Sequence, residues 1–384
     1  MNISDAVFYV GCDDTTLDLF ESQYPVPHGV SYNSYVILDE KTAVMDTVDQ
    51  RASEEWMQNV ERVLSGRKPD YLIISHLEPD HSANIAALAD RYPEMTLIGS
   101  AKTKAMIGQF FEEDLASRVQ AVSEGEELSL GSHTLHFAMA PMVHWPEVMV
   151  TYEESEQILF SADAFGTFGA LAEKEEWIAE ARRYYINIVG KYGAPVIGLL
   201  KKAQTLDIKK ILPLHGPVLE GDLSCYMDKY KTWASYQPEE NGIVLCCASI
   251  HGNTKKAALA FADELRAAGQ NVIFFDLTRC DMAEAVEAAF RYDRLLLAAC
   301  TYDGNLFPVM EDFLYHLEIK AFQNRTVGLI ENGSWGPMAA KLMTAHLEKM
   351  KNITILPEKV TIKTTRKTSD QPAFDALLKA ISQK

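Results

Sequence analysis

The 384-residue sequence lacks the signals of a membrane or secreted protein. Its longest apolar runs, Ile243–Ile250 and Leu295–Cys300, are far shorter than the roughly 20 residues that cross a membrane. The first residues, MNISDAVFYVG, have neither a basic start nor a long apolar stretch, so we expect no signal peptide. The six cysteines form no CxxC pair. We therefore expect free thiols in a reducing cytoplasm.

Positive charge is also scarce, because 36 lysines and arginines face 54 aspartates and glutamates, for a net charge of −18. Nucleic acids and anionic membrane surfaces repel such a field, so neither is expected as the main partner. A small redox protein with a basic patch is compatible with it. At about 150 residues per domain, the length predicts two to three domains.

The chain is predicted to divide near Gln237–Gly242 into domains 1–237 and 242–384. Upstream, strands and helices alternate irregularly, and one helix is predicted over Glu173–Val189. Downstream, five strand–helix pairs alternate strictly, which predicts a parallel sheet covered on both faces. The five strands are predicted at Ile243–Ala248, Val272–Leu277, Arg294–Ala299, Thr326–Ile330 and Ile353–Ile362.

A dense cluster of potential metal ligands follows the predicted strand Tyr71–Ser75. The four residues are His76, Glu78, Asp80 and His81. Such a group is costly to bury unless a metal or a counter-charge compensates. We expect Pro79 to delay the next helix and hold the turn extended, with His81 on the opposite side from the other three ligands. Such a turn can supply two metals.

Three further candidate ligands each stand where a predicted strand gives way to a loop. They are His144, Asp163 and His215. Open α/β sheets place functional sites at such strand ends. A single residue of this kind is more often structural, so the interpretation depends on the whole set.

A second candidate site follows the predicted strand Ile243–Ala248. The loop residues are Ser249, Ile250, His251, Gly252, Asn253 and Thr254. Gly252 lets the backbone approach a phosphate, and the following helix offers free N–H groups. The loop has no GxGxxG, no GKT and no Lys or Arg, which suits a phosphate monoester bound by neutral donors. It resembles the SxxGNT loop of flavodoxins, which binds the phosphate of FMN.

Two later strand-end loops are candidates for holding the flavin ring. They comprise Thr301, Tyr302, Asp303, Gly304 and Asn305, and Asn332, Gly333, Ser334, Trp335 and Gly336. Each combines glycine with an aromatic residue that can cover a flat ring. The first loop departs from flavodoxins, because Ala299-Cys300-Thr301 stands where a Pro-Thr pair is common. One such loop would indicate only a capped helix, whereas three together predict a flavin site.

The spacing of His76, Glu78, Asp80 and His81 resembles the HxHxDH turn of the metallo-β-lactamase fold, with Glu in place of the second His. The later ligands follow in the order of that fold. Together with the flavodoxin-like half, they make the whole chain resemble the flavodiiron proteins, or A-type flavoproteins. The resemblance implies an N-terminal metallo-β-lactamase-like αββα sandwich and a C-terminal flavodoxin-like, doubly wound, five-stranded parallel sheet.

The resemblance also implies the role of each ligand. His76, Glu78 and His144 would hold one iron, Asp80, His81 and His215 would hold the other, and Asp163 would bridge them. Four imidazoles and three carboxylates form a hard, anionic set that favours iron over zinc, although ligands alone do not decide the metal. Residues near the irons that could donate protons or wall the pocket are His28, Trp145 and Tyr192; ordinary loop or helix packing is the alternative.

By resemblance, the chain is a flavodiiron oxidoreductase that reduces O2 to water, NO to N2O, or both. Reduced FMN and a diferrous pair together hold the four electrons that O2 reduction requires. The sequence has no rubredoxin-type CxxC pair and no dinucleotide fingerprint. We therefore expect an external donor, rubredoxin or a similar small protein, with reduced deazaflavin as the alternative. The family also implies a head-to-tail homodimer, or a dimer of such dimers.

Two other functions stay open at this point. A metallohydrolase of the lactamase fold would use metal-activated hydroxide on an ester, thioester or phosphodiester. That function leaves the flavin half unexplained, and Glu78 disfavours it. An electron carrier that uses only the flavodoxin half would leave seven ligand-type residues unexplained.

Overall fold

The computed structural model describes residues 2–173 and 176–383. The chain divides into two compact units, Met1–Lys231 and Thr232–Lys384. The division falls inside one helix, Ser224–Ala234, on the N-terminal side of Gln237. Within the described residues, no helix has the length and hydropathy of a membrane span.

The first unit contains two six-stranded sheets in its described part. Its strands are β1 (Val7–Tyr9), β2 (Cys12–Asp14), β3 (Leu19–Phe20), β4 (Tyr24–Pro25), β5 (Val30–Tyr32), β6 (Tyr35–Leu38), β7 (Thr42–Met45), β8 (Tyr71–Ile73), β9 (Thr96–Ser100), β10 (Val119–Val122), β11 (Glu127–Ser129), β12 (Thr134–Met139), β13 (Met149–Glu153), β14 (Ile158–Phe160), β15 (Lys210–Leu212) and β16 (Leu219–Glu220). One sheet has the order β1-β6-β7-β8-β9-β10 and the other runs from β11 to β16. The pairs β2–β5 and β3–β4 form two short ribbons.

The two large sheets pack face to face. Ile37, Ile73 and Ile98 from the first sheet share one buried cluster with Phe137 and Phe160 from the second. Each such side chain stabilises the folded state by about 1.5–3 kcal/mol when it leaves water. The helices of this unit are α1 (Ser53–Leu64), α2 (Pro79–Ser82), α3 (Ile85–Arg91), α4 (Ala101–Met106), α5 (Trp177–Tyr184), α6 (Gly193–Ala203) and α7 (Ser224–Ala234). The predicted metallo-β-lactamase-like sandwich is confirmed.

The turn after β8 differs from the sequence prediction. Pro79 does not delay a helix but begins α2, which carries Asp80 and His81. The fixed φ of proline suits the first helical position, where its missing N–H has no partner to lose. The expectation of an extended turn is therefore wrong, although the residues still leave the end of a strand together.

The helix predicted over Glu173–Val189 begins later, at Trp177 in α5. It continues as a π-helical turn, Tyr185–Val189. The predicted residues Lys174 and Glu175 lie outside the described residues.

The second unit is a doubly wound α/β domain. Its strands are β17 (Glu240–Ala248), β18 (Val272–Asp276), β19 (Tyr292–Tyr302), β20 (Asn305–Leu306), β21 (Thr326–Asn332) and β22 (Thr354–Ile362). Its helices are α8 (Asn253–Ala267), α9 (Met282–Arg291), α10 (Pro308–Ile319), α11 (Ala339–Leu347) and α12 (Gln371–Ser382). Five parallel strands have the order β18-β17-β19-β21-β22, and β20 pairs antiparallel with β19.

This strand order is the flavodoxin-like order 2-1-3-4-5, as predicted. On one face, α8 and α12 bury Phe261 and Phe374 against strand residues such as Leu296 and Ile330. The helices α9, α10 and α11 contact the sheet as well. The chain order reverses beside β17, so a crevice is expected at the carboxyl ends of β17 and β19.

Candidate metal centre and cofactor cavity

The seven predicted metal ligands lie together in the first unit. The ligand atoms of one group lie within 4.8 Å of one another: His76, Glu78, His144 and Asp163. A second group within the same limit contains His81, Asp163 and His215. Asp163 therefore belongs to both groups, as expected of a ligand that bridges two ions.

In the first group, His144 is the closest partner of the two carboxylates. Its Nε2 lies 2.9 Å from Glu78 Oε2 and 2.9 Å from Asp163 Oδ2. His76 Nε2 lies 3.4 Å from the same Asp163 oxygen and 3.7 Å from Glu78 Oε2. Two imidazole nitrogens and two carboxylate oxygens thus converge on one point.

In the second group, two imidazoles face each other, with His81 Nε2 and His215 Nε2 2.9 Å apart. Asp80 Oδ2 lies 3.4 Å from the former nitrogen and 3.2 Å from the latter. Asp163 Oδ1 lies 3.7 Å from His81 Nε2. Because the two oxygens of Asp163 face different groups, the arrangement has room for two ions and one bridging carboxylate.

Several buried polar atoms in these groups have no hydrogen-bond partner among the residues that the structure describes. They are both ring nitrogens of His76, both carboxylate oxygens of Asp80, Nδ1 of His81 and Oδ1 of Asp163. A buried polar group without a partner costs about 1–3 kcal/mol, so such atoms call for a ligand. His215 donates its Nδ1–H to the carbonyl of Ser31 at 2.7 Å, which leaves a lone pair on Nε2 toward the group. These atoms fit a metal pair.

Burial and neighbouring charges shift the ligand pKa values in opposite directions. Burial opposes charge on His144, but Asp163 and Glu78 outweigh it and raise the pKa of His144 to about 10. Burial and the nearby carboxylate of Glu78 raise the pKa of Asp80 to about 6. Burial, with the charge of His215, lowers the pKa of His81 well below its usual value. Positive charge thus stabilises the buried carboxylates, and bound metal ions would supply it.

Two buried carboxylates that the sequence analysis missed hold the main chain of the ligand turn. Asp46 accepts hydrogen bonds from the Ser75 backbone N–H and hydroxyl, both at 2.7 Å. Glu147 accepts one from the Leu77 N–H at 2.8 Å. Asp46 follows β7, which pairs with β8, so a carboxylate at the end of that neighbouring strand was the available signal. Nothing in the sequence marks Glu147.

The three residues predicted to surround the metals, His28, Trp145 and Tyr192, differ in burial and in their contact with the ligands. The ring centroid of Trp145 lies 6.5 Å from that of His144, whereas His28 is exposed and Tyr192 half-buried. The tyrosines that pack against ligand rings are Tyr184, 5.5 Å from His215, and Tyr32, 6.0 Å from His215 and 6.3 Å from His81. Tyr184 lay on the predicted helix, but Tyr32 was missed, since it sits on β5, far from the motif in sequence.

A cavity of about 440 Å³ opens in the second unit where β17, β19 and β21 end. Its lining contains every residue of the three predicted cofactor loops except Gly252 and Asn305, and it adds Cys300 and Thr364. The volume is within the range of small-molecule sites. Thr364 follows β22, a strand end that the sequence analysis did not consider.

The predicted phosphate loop leads into the free end of α8. Gly252 caps this helix at φ +86°, and its N–H donates to the Ser249 hydroxyl at 3.1 Å. Among the described residues, no side chain caps α8, so its first N–H groups point to the loop. At the rim of the cavity, Trp335 is 97% exposed, and Tyr302 and Ile250 are also exposed. Backbone N–H groups that can bind an anion, next to exposed aromatic side chains, suit a phosphate with an attached aromatic ring.

Comparison with known proteins agrees with this geometry. The model of the "ODP family beta lactamase" matches residues 30–216. The "Nitric oxide reductase" of Moorella thermoacetica is 28% identical over 91% of this chain and 90% of its own. "Flavo-diiron protein FprA2" of Clostridium acetobutylicum is 27% identical over 91% of each chain. The solved rubredoxin oxygen:oxidoreductase of Desulfovibrio gigas superposes with a TM-score of 0.93 and 26% identity, over 99% of this chain and 97% of that one.

Over most of its length, the chain is similar to flavodiiron proteins. The match to the Desulfovibrio gigas structure spans both units, so the two folds occur together in one relative as they do here. In this chain, the ligand groups lie in the first unit and the cavity lies in the second.

Proposed function

We propose that this flavodiiron protein reduces O2 to water, NO to N2O, or both, at a non-haem diiron site. Electrons reach that site through FMN from an external donor. The observation that carries the proposal is Asp163, whose two carboxylate oxygens face two separate groups of imidazoles. Two of the relatives named above, a nitric oxide reductase and a rubredoxin oxygen:oxidoreductase, support the same reaction class.

The resemblance to flavodiiron proteins assigns the residues that would hold the two irons, and the proximity of their side chains supports that assignment. His76, Glu78 and His144 form one set, Asp80, His81 and His215 form the other, and Asp163 serves both. When bound, two irons and FMN together hold the four electrons that one O2 requires for reduction to two waters. The mix of imidazole and carboxylate donors suits iron.

The protein contributes position and exclusion of water. Asp46 and Glu147 fix the main chain of the turn that carries four of the ligands. Tyr32 and Tyr184, both fully buried, cover the His215 side of the groups with aromatic rings. A dry, rigid site keeps its ligands in the same geometry when the charge in the site changes, because the surrounding groups reorganise little.

For FMN, the loop Ser249–Thr254 and the first turn of α8 would hold the phosphate. The loops that carry Tyr302 and Trp335 would flank the ring. The three loops meet around one cavity, which supports a single bound cofactor. This cavity also favours the oxidoreductase over a hydrolase, since hydrolysis has no use for a flavin.

The remaining parts of the proposal concern assembly, donor and location. Rubredoxin or a similar small protein is the proposed donor, in keeping with the name of the Desulfovibrio gigas relative. The exposed apolar rim at Trp335, Tyr302 and Ile250 supports a head-to-tail homodimer in which a partner covers it. The six free cysteines support a reducing cytoplasm.

Anaerobic gas consumption tests the function directly. The purified chain is assayed with rubredoxin and its reductase, on O2 and NO separately, together with iron and FMN contents. We expect two irons and one FMN per chain and turnover with at least one gas. A preparation that contains two irons and FMN but consumes neither gas would contradict the proposal.

A further inference from the structure

Asn332, the last residue of β21, ties together three segments that line the cofactor cavity. Its side-chain amide donates to the hydroxyl of Thr254 at 3.1 Å and to the carbonyl of Thr364 at 2.9 Å. Its amide oxygen accepts the N–H of Thr364 at 3.0 Å. Asn332 itself is only 6% exposed. Both amide hydrogens are therefore already used inside the protein and are not available to a cofactor.

The segment that Asn332 holds is in an unfavourable backbone conformation. Thr364 has φ +71°, a region that β-branched residues rarely adopt. Its hydroxyl also pairs with that of Ser334 at 2.8 Å. Such a conformation persists only where the surroundings enforce it, and enforced conformations concentrate at functional sites. Here Asn332 and Ser334 enforce it at the wall of the cavity.

We propose that the loop after β22, at Thr364, is a fourth part of the FMN site and that Asn332 is its positioning residue. Asn332 acts by holding Thr364 against the start of α8. The predicted phosphate loop, Ser249–Thr254, and the part of the cavity wall at Thr364 thereby keep a fixed separation. This inference rests on the FMN part of the proposed function and is independent of gas reduction.

The test compares FMN affinity with the stability of the apoprotein. FMN is removed from the full chain, and it is then titrated back while quenching of its fluorescence is followed. Asn332→Ala should weaken FMN binding at least tenfold, at a temperature far below unfolding. Asn352→Ala is the matched control. Asn352 lies in the same unit and is exposed, and among the described residues its side-chain amide donates a hydrogen bond only to Asn324. It should leave the FMN dissociation constant within twofold of the wild type.

Thr364→Gly separates positioning from folding. Glycine accepts φ +71° without strain, so the melting temperature of the apoprotein should not fall. FMN affinity should nevertheless fall severalfold, and the midpoint potential of the bound flavin should shift, because part of the wall is gone. A purely structural role predicts the reverse pattern, with stability changed and FMN binding unchanged.

Unchanged FMN affinity in both Asn332→Ala and Thr364→Gly would overturn the inference. So would failure of the wild-type chain to bind FMN, which would also remove the cofactor from the proposed function. A wild type that binds FMN tightly but reduces neither gas would end the proposed function alone, and the contrast among the variants would still support this inference.

Discussion

His81 and His215, which are 134 positions apart in the chain, bring their Nε2 atoms to 2.9 Å. The Nδ1–H of His215 is bonded to a backbone carbonyl, so its Nε2 presents a lone pair when the ring is neutral. Burial, with the charge of His215, lowers the pKa of His81. Burial opposes charge on His215, but Asp80 and Asp163 outweigh it and raise the pKa of that ring. Two imidazole nitrogens that face each other at this distance beside a carboxylate are a natural pair of ligands for one cation.

Removal of one imidazole from this pair should empty one metal position only. In His215→Ala, iron is expected to fall from two to about one per chain, because the group around His144 keeps all its donors. FMN content should stay at one per chain. Parallel iron and flavin assays measure both. His136→Ala, at a half-exposed histidine outside the groups, is the control. Two retained irons would contradict the assignment.

Loss of the bridging carboxylate should affect both positions. Asp163→Asn keeps the size of the side chain but removes the charge that both groups share. We expect less than one iron per chain and a fall of gas reduction by more than about 100-fold. Asp90→Asn, at an exposed aspartate, is the matched control and should keep both properties. An Asp163→Asn protein with normal iron content would show that Asp163 does not bridge.

Glu147 provides a test of how the ligand turn is held. Glu147→Ala leaves the buried N–H of Leu77 without its acceptor, at a cost of about 1–3 kcal/mol in free energy of unfolding. Iron affinity should fall about 10- to 100-fold. Glu147→Gln keeps an acceptor oxygen and should lose much less. Chelator competition measures the affinity, and equal losses in both variants would argue against a hydrogen-bonding role.

The substitution Gly252→Ala tests the phosphate loop through its backbone conformation alone. Its φ is +86°, and a Cβ there would meet no atom within 4 Å, so Gly252→Ala adds only the strain of a left-handed conformation. That strain is about 1–2 kcal/mol, or roughly five- to thirtyfold in FMN affinity if the loop relaxes in the free protein.

The control for this experiment lies at the other end of the same helix. Gly269 has φ +82° and equally open space, so Gly269→Ala carries a similar strain away from the cavity. Titration with FMN should distinguish the two variants. If both bind FMN equally well, Gly252 is an ordinary helix cap.

His133 predicts a pH dependence of stability in the first unit. Burial opposes its charge, but Asp39 at 2.7 Å, Glu153 and Glu156 raise its pKa. A raised pKa contributes stability that is complete below the unfolded value near 6.5 and disappears as pH rises through the folded value. Hydrogen bonds from His133 and two backbone N–H groups lower the pKa of Asp39 against the effect of burial, so its contribution is lost only in acid.

The expected result is a difference that shrinks with pH. The melting temperature of His133→Gln should fall below that of the wild type by about 2 °C or more at pH 6. The gap should be smaller at pH 9. Calorimetry at both values measures it, and a gap that does not change with pH would exclude the charged pair.

Local spacing carried much of the prediction of the metal centre. His76, Glu78, Asp80 and His81 lie within six residues after a strand, so any fold that continues the strand brings them together. The prediction of an extended turn was wrong because a proline near a helix start can either delay the helix or occupy its first position. Pro79 occupies the first position of α2. Tyr32 and Glu147 escaped prediction because they reach the site from other strands and loops, without a motif of their own.

By itself, the sequence determined which residue types stand at the strand ends and that five parallel strands follow one another in the second half. Periodic patterns and short motifs are local, and local spacing follows directly from backbone geometry. Only the tertiary structure decided which oxygen of Asp163 faces which group, which carboxylates hold the ligand turn, and that Thr364 joins the cofactor cavity. Those relationships depend on packing between segments far apart in the chain, where a shift of an ångström changes the partner of an atom.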